Sequence, residues 1–440
     1  MSDAASDPAG QTRPVGTACR SGMSVRPDTH DAAMELADRL APIEKPDLMI
    51  IFATPEHSGR MGTVQDTLRH RSGVRHVVAV TAEGVLAGAS ERERAPGLAG
   101  IAMALPGVDL RPFWIDPPPS GDVPEERAAA LGEQIGAGDD LRATFLFADP
   151  FSVPLVNLIP DLSASRTHRS GAAGGRPHPV GTILGGMASA GAQPGSNTLV
   201  CDGDVRGTGA MGISLSGPVR VDAVVSQGCR PFGPRMVITK ARGNLILELG
   251  GEPAVEAIRA AVRGLSEADR QLLGGSLLVG RVIDDTKKHL GRGDYLVRVV
   301  LGADEQSGAV AVADLVRAGQ TVRLHLHDAR TAREDLALLM DGQRLYGRPS
   351  GALVFSCNGR GEKLFGAGGH DAGAVCHAFD PAPDGPRAAK SGKEVDPGSG
   401  IPLAGFFAAG EIGPIGDQIF HHGHTAVVAL IRDPDPDDQP

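Results

Sequence analysis

The chain has 440 residues, 41% of them hydrophobic, enough for a full core and a length that suggests two or three domains. A net charge of -10 argues against a nucleic-acid backbone or an anionic membrane as partner, and 3% aromatic residues leave no base-stacking platform. The five cysteines are scattered and form no CxxC pair, so neither a zinc site nor a disulfide framework is indicated, and no metal is expected.

In chain order, the first 14 residues are small and polar and are expected to be unstructured. They contain no apolar signal-peptide core, and no apolar run approaches the roughly 18 residues of a membrane helix. A cytoplasmic protein with reduced thiols is the expectation. Residues 31–40 have helical apolar spacing, with Asp31 as a candidate cap. The runs 48–53 and 76–80 read as strands around a helix at 61–70, a β-α-β order that predicts parallel neighbours. Residues 98–105, 143–148 and 180–186 are further strand candidates, and 125–135 is a helix candidate. Residues 209–214 and 219–225 look like adjacent strands joined at Gly217-Pro218, and 236–241 with 244–249 like a hairpin. Residues 253–262 and 332–340 read as helices, and 295–301 and 309–312 as strands. The alternation at 322–327 places Arg323, His325 and His327 on one face, read as solvated because no third metal ligand is near. Residues 163–179, 381–400 and the acidic 431–440 are expected to be mobile and outside any site. No sustained sequence repeat is visible.

Residues 351–424 carry the densest chemistry. Two apolar runs, 352–355 and 403–408, each lead into a glycine-rich polar turn. The first turn offers Cys357, Asn358, Gly359, Arg360 and Gly361; the second offers Glu411 and then His421, His422 and His424. Glycines let the backbone bend sharply and let a partner approach closely. An arginine, a carboxylate, a thiol and imidazoles at strand ends suit a small-molecule site. Arg230, Arg298 and Arg360 are the candidate anion holders, since a guanidinium fork matches a carboxylate. Glu411 is the opposing anchor, Cys357, Asn358 and His424 line the wall, and Gly185, Gly186, Gly359 and Gly361 allow backbone amides to approach. The competing reading makes these arginines scaffold partners of buried acids.

These segments together resemble the FIST family (F-box and intracellular signal transduction proteins). The first module resembles it in LMIIFATPEH, AVTAEGVLAGASERE, TFLFADPFS and VGTILGGMASA. The junction SQGCRPFGP with VITKARGNLILELGGEPA, then YLVRVVLG, GALVFSCNGRGEKLFG and GFFAAGEIGPIGDQIFHHGHTAVVAL, resembles the second module. The resemblance implies an α/β protein of two closely packed modules, each a mixed β-sheet with flanking helices. They would span 45–231 and 232–430, meeting near 226–234, with 1–44 as tail and first helix. It further implies a stand-alone cytoplasmic sensor rather than an enzyme, binding a small ligand such as an amino acid and acting on a downstream signalling protein. No cofactor is expected. Haem binding, known in some members, and an enzyme built on a Cys357 nucleophile are the alternatives. One departure from the family stands out: Val80-Thr81 precede the Glu83-Gly84 turn, where the family often has a Gly-Cys or Gly-Ser step.

Overall fold

Buried apolar strands arranged by one rule recur three times along the chain. The computed structural model describes residues 16–168, 178–273, 277–380 and 400–434. Most of the expected mobile stretches, within 163–179 and 381–400 and at both ends, lie outside the described residues.

In the first unit, strand Ala18–Ser24 leads to helix Thr29–Leu40, strand Leu48–Ala53, helix Met61–Ser72 and strand His76–Thr81. A hairpin, Gly84–Ala87 and Ser90–Glu93, follows, and strand Leu98–Ala104 closes the unit. The second unit repeats the series: Asp109–Ile115, helix Pro124–Ile135, Leu141–Ala148, helix Leu155–Ser165, Thr182–Met187, hairpin Leu199–Cys201 and Asp204–Arg206, then Ala210–Ser216. The third does so again from Arg220–Gln227 through helix Ala329–Gln343, Gly351–Cys357, two short helices, Leu403–Ala408, hairpin Glu411–Ile415 and Gln418–His422, and Thr425–Arg432. The two inner strands of each unit run parallel, as the β-α-β order predicts, and the closing strand is antiparallel to the first of them. The repetition is invisible in the sequence because it lies in strand order, and many apolar side chains satisfy the same buried position.

Each hairpin leaves its own unit. Gly84–Ala87 pairs with Leu403–Ala408, Leu199–Cys201 with His76–Thr81, and Glu411–Ile415 with Thr182–Met187. All three six-stranded sheets are therefore completed by a neighbour's hairpin, and the exchange runs in a circle. Backbone bonds tie the crossings together: Thr81 N–H donates to Thr198 O at 3.1 Å, Ser189 N–H to Thr81 O at 3.2 Å and Ala409 N–H to Met187 O at 3.1 Å. This corrects one expectation. Ala210–Ser216 and Arg220–Gln227 are consecutive but belong to different sheets, because Gly217-Pro218 carries the chain from the second unit to the third and Arg220–Gln227 pairs with Thr425–Arg432.

The inner faces of the three sheets meet in one apolar cluster. Phe52, Phe147 and Phe355 come from the same strand of each unit and pack with Phe406, at centroid distances of 5.1 to 6.1 Å. Each fully buried ring contributes about 1.5–3 kcal/mol by leaving water, and each edge-on or offset pair about 0.5–1.5 kcal/mol more. The outer faces are covered by the units' helices in three further clusters. Helix Thr29–Leu40 is capped by Asp28, whose carboxylate accepts from Asp31 N–H at 3.0 Å; Asp31 itself lies in the first turn.

Residues 226–234 are the passage from the third unit into an inserted sheet. Its strands run Cys229–Arg242, Thr321–His327, Leu278–Val282, Tyr295–Asp304, Ala309–Val312 and Leu245–Leu249 in spatial order, and the last pairs back onto the first. This closed barrel has its own core, with helix Ala254–Arg263 against it. The expected hairpin at 236–249 is one of its pairings. The face bearing His325 is not solvated. His325 is 2% exposed, its ring lies edge-on to Tyr295, and burial pulls its pKa down to about 4.

Candidate functional site

Gly351–Cys357 is buried along its whole length, and its end is pinned where Asn358 N–H donates to Ala408 O at 2.9 Å and Arg360 N–H to Cys357 O at 2.8 Å. The turn sends Arg360 inward. Its guanidinium is fully buried and forks onto Asp371, Nε to Oδ2 at 2.7 Å and Nη2 to Oδ1 at 2.8 Å. Ser356 Oγ donates to the same carboxylate at 2.7 Å, and His370 Nδ1 lies 3.0 Å from it. Burial alone would raise the Asp371 pKa, but the Arg360 charge and these donors hold it well below the usual carboxylate range. Asp371 is thus the buried acid that serves as scaffold partner of Arg360. No sequence signal marked it, since it sits in a seven-residue helix.

The remaining Arg360 nitrogen, Nη1, has no hydrogen-bond partner among the described residues. It faces Gly228, where an added Cβ would stand 2.8 Å from Nη1 and 3.3 Å from His327 Nε2. His424 completes this corner. Its backbone is left-handed (φ +58°), and its ring lies 4.6 Å from that of His327. Burial keeps both rings neutral, with pKa values of about 4 for His424 and about 3 for His327. Gly359 touches both His424 and Cys357, its N–H donating to Cys357 Sγ at 3.4 Å.

Glu411 occupies an inward position of its hairpin, opposite Gly186. The corresponding positions of the other two hairpins hold Leu199, opposite Val80, and Val85, opposite Phe406. An acid therefore stands where apolar residues stand elsewhere. Gly186 fits this crowding, since a Cβ there would come 2.9 Å from Ala408 Cβ. Oε2 accepts from Thr425 N–H at 3.2 Å, while Oε1 has no partner among the described residues. Burial raises the Glu411 pKa well above its ordinary 4.5, more than the Thr425 bond, the adjacent Cys357 thiol and the charges of Arg360 and Arg298 lower it. Burial in the fold thus favours the protonated form of Glu411. Folding binds its proton, so this contribution to stability is full below pH 4.5 and is lost as pH rises through the higher folded pKa. Glu411→Gln should accordingly match the parent chain near pH 4.5 and exceed it at pH 8, as read from urea midpoints of both proteins at each pH. Equal midpoints at both pH values would show that the acid is not held neutral.

The other expected residues divide. Arg298 lies near Asp314 and Glu411, with burial lowering its pKa to about 10. Arg230 is engaged by Asp269 at 2.5 Å and Asp328 at 3.3 Å; its neighbour Cys229 is the buried residue close to Arg360 and Glu411. Gly185 sits within the strand paired to Ile412, and a Cβ there would collide with Leu146 backbone. Gly361 (φ +56°) makes room for Glu93, whose carboxylate accepts from Glu362 N–H at 2.8 Å. Asn358 follows Cys357 in the turn, its Oδ1 3.9 Å from Cys357 Sγ.

A cleft of about 590 Å³ lies between helix Leu155–Ser165, the inserted barrel and the strand Gln418–His422 that follows Glu411–Ile415. Arg298 and His421 line it, and Arg281 and Asp314 stand beside them. His421 Nε2 is buried without a partner among the described residues. The helix has apolar residues at helical spacing, Leu155, Leu158, Ile159 and Leu162, which the sequence reading passed over. No group of three or more His, Cys, Asp or Glu placed to hold a metal occurs among the described residues.

With this geometry in place, the model of the FIST N domain matches residues 47–252 and that of the FIST C domain matches 254–414. The chain belongs to the FIST family. An uncharacterized protein of Mycobacterium bovis and one of Mycobacterium tuberculosis are each 34% identical to it over 419 residues, 94% of this chain and 98% of theirs. A further M. tuberculosis protein, also uncharacterized, is 33% identical over 419 residues and 99% of its own length. FIST modules are associated with sensing in signal transduction. In this FIST protein the cleft joins both modules: Leu155–Ser165 comes from FIST N, while Arg281, Arg298 and Asp314 come from FIST C. No helix among the described residues is long and apolar enough to cross a membrane.

Proposed function

We propose that this FIST protein is a cytoplasmic sensor that binds a small molecule with at least one polar group and passes the bound state to a downstream signalling protein. One observation carries the reading. Arg360 Nη1, His327 Nε2, His424 Nδ1, Glu411 Oε1 and His421 Nε2 are buried polar atoms without hydrogen-bond partners among the described residues, His327 and His424 lying near Arg360 and His421 near Arg298. Each such atom costs about 1–3 kcal/mol when left unsatisfied, and a ligand that reaches them recovers that energy. The cleft holds His421 of this set, and both modules supply its walls, so a ligand bound there favours the arrangement in which they are in contact.

A sensor fits better than a catalyst. Burial, and then the neighbouring Glu411, push the Cys357 thiol far above its ordinary range, which keeps it protonated and poorly nucleophilic. The histidines nearby are neutral but are themselves buried.

A thermal-shift screen of carboxylic acids, amino acids, nucleotides and haem tests the reading. A ligand at 100 times its Kd stabilises the fold by about 2.7 kcal/mol, so a true ligand should raise the melting midpoint in a concentration-dependent way. A screen in which no compound moves the midpoint at millimolar concentration would count against it.

A further inference from the structure

We propose that the cleft beside His421 takes an amphipathic monoanion, a molecule with one carboxylate and an extended apolar body. This rests on the sensing reading and narrows it to a chemical class.

One wall of the cleft is apolar. Leu155, Val156, Ile159 and Pro160 of the helix line it, with Leu296 and Phe420 among the residues opposite. Val156 is 47% exposed, and it continues this wall rather than standing alone on a polar surface. A hydrocarbon or aryl body laid here leaves water at about 25 cal/mol per Å². The volume, about 590 Å³, suits a drug-sized molecule.

The inner end carries the charge. Arg281 Nε lies 3.2 Å and Arg298 Nε 3.8 Å from the same oxygen, Asp314 Oδ2. Two guanidiniums thus share one carboxylate. Glu411, the other acid near Arg298, is pushed towards its protonated form by burial and does not line the cleft. Asp417, on the cleft's outer rim, has its own cation close by in Arg166, which also donates to the Asp417 backbone oxygen at 3.4 Å. One positive charge is therefore in surplus where Arg298 and His421 meet. A carboxylate there neutralises it, and the neutral His421 ring that lines the cleft has one ring N–H to donate. A dianion would bring a second charge with no counterpart, at a desolvation cost. The ammonium of a zwitterionic amino acid would need a free carboxylate, and Asp314 is already shared by both arginines.

Calorimetry and thermal shift on the full chain with decanoate, decylamine, decanol and leucine test this. Decanoate should bind at least tenfold more tightly than each of the other three. Arg298→Gln should weaken decanoate at least tenfold and leave decanol unchanged. Val156→Trp, at an exposed position where folding is not at stake, should weaken decanoate and decanol alike. Equal binding of decanoate and decylamine, or undiminished decanoate binding in Val156→Trp, overturns the proposal. Tighter binding of leucine than of decanoate also overturns it while leaving ligand sensing intact. A broad screen that finds no ligand at all removes both.

Discussion

Arg360→Ala should destabilise the protein by about 3–5 kcal/mol without any ligand present, because it strands the Asp371 carboxylate in the core. Ser356 and His370 remain as partners, but neither supplies the bidentate fork. The loss should depend on pH in a defined way. Asp371 has its folded pKa depressed by Arg360, so the pair's contribution is full above the ordinary 3.8 and is lost as pH falls through the lower folded value. At pH 4.5 and above the parent chain should therefore show the full advantage over Arg360→Ala. Replacing both partners with leucine should recover a large part of the loss, since an apolar pair leaves no uncompensated charge. Urea midpoints of the parent, the single variant and the double variant measure all three. An unchanged midpoint in Arg360→Ala would mean that the buried fork contributes nothing to folding.

The second large effect concerns the hairpins. Cleaving the gene between codons 217 and 218 separates the first two units from the third. The first half should not fold by itself. In the first half, the hairpin at 84–93 loses its host strand Leu403–Ala408, and Thr182–Met187 is left as an open edge where Glu411–Ile415 had paired. The central cluster loses Phe355 and Phe406. The first half alone should unfold without a cooperative transition and bind a hydrophobic dye, whereas the two halves expressed together should co-purify and melt as one. A first half that melts cooperatively as a monomer would show that the exchanged hairpins are dispensable.

The strands were readable because apolar runs bounded by glycines leave little choice of local structure. Leu48–Ala53, His76–Thr81 and Leu403–Ala408 follow directly from their residues. Strand Ala18–Ser24 was not readable: its sequence, ACRSGMS, has no strong strand former, and pairing with Leu98–Ala104 imposes the conformation. Sheet partners were not readable either, since nothing local in VLAG or EIGP states which strand will receive the hairpin. For the candidate site, the glycine turns pointed to Cys357, Arg360, Glu411 and His424, and the fold brings these close together. Arg230 has the same chemistry as Arg360 but meets Asp269 and Asp328, which a one-dimensional reading cannot foresee. The cleft was missed with the helix Leu155–Ser165, whose apolar spacing is interrupted by Pro160.

The circular handing-on of hairpins has a consequence for how such a molecule can change. Three separate copies of one unit, each lending its hairpin to the next, would form a closed trimer, and every copy would have to carry the same residues. Joined into one polypeptide, the ring keeps its closure but each position is inherited independently. Glu411 can then stand where its counterparts are Leu199 and Val85, and a whole barrel can be inserted after Gln227 without being multiplied by three. An acid at all three positions would place three carboxyls in one apolar core; an acid at one is tolerable. Covalent linkage thus permits a single asymmetric recognition point inside a scaffold whose architecture is cyclic.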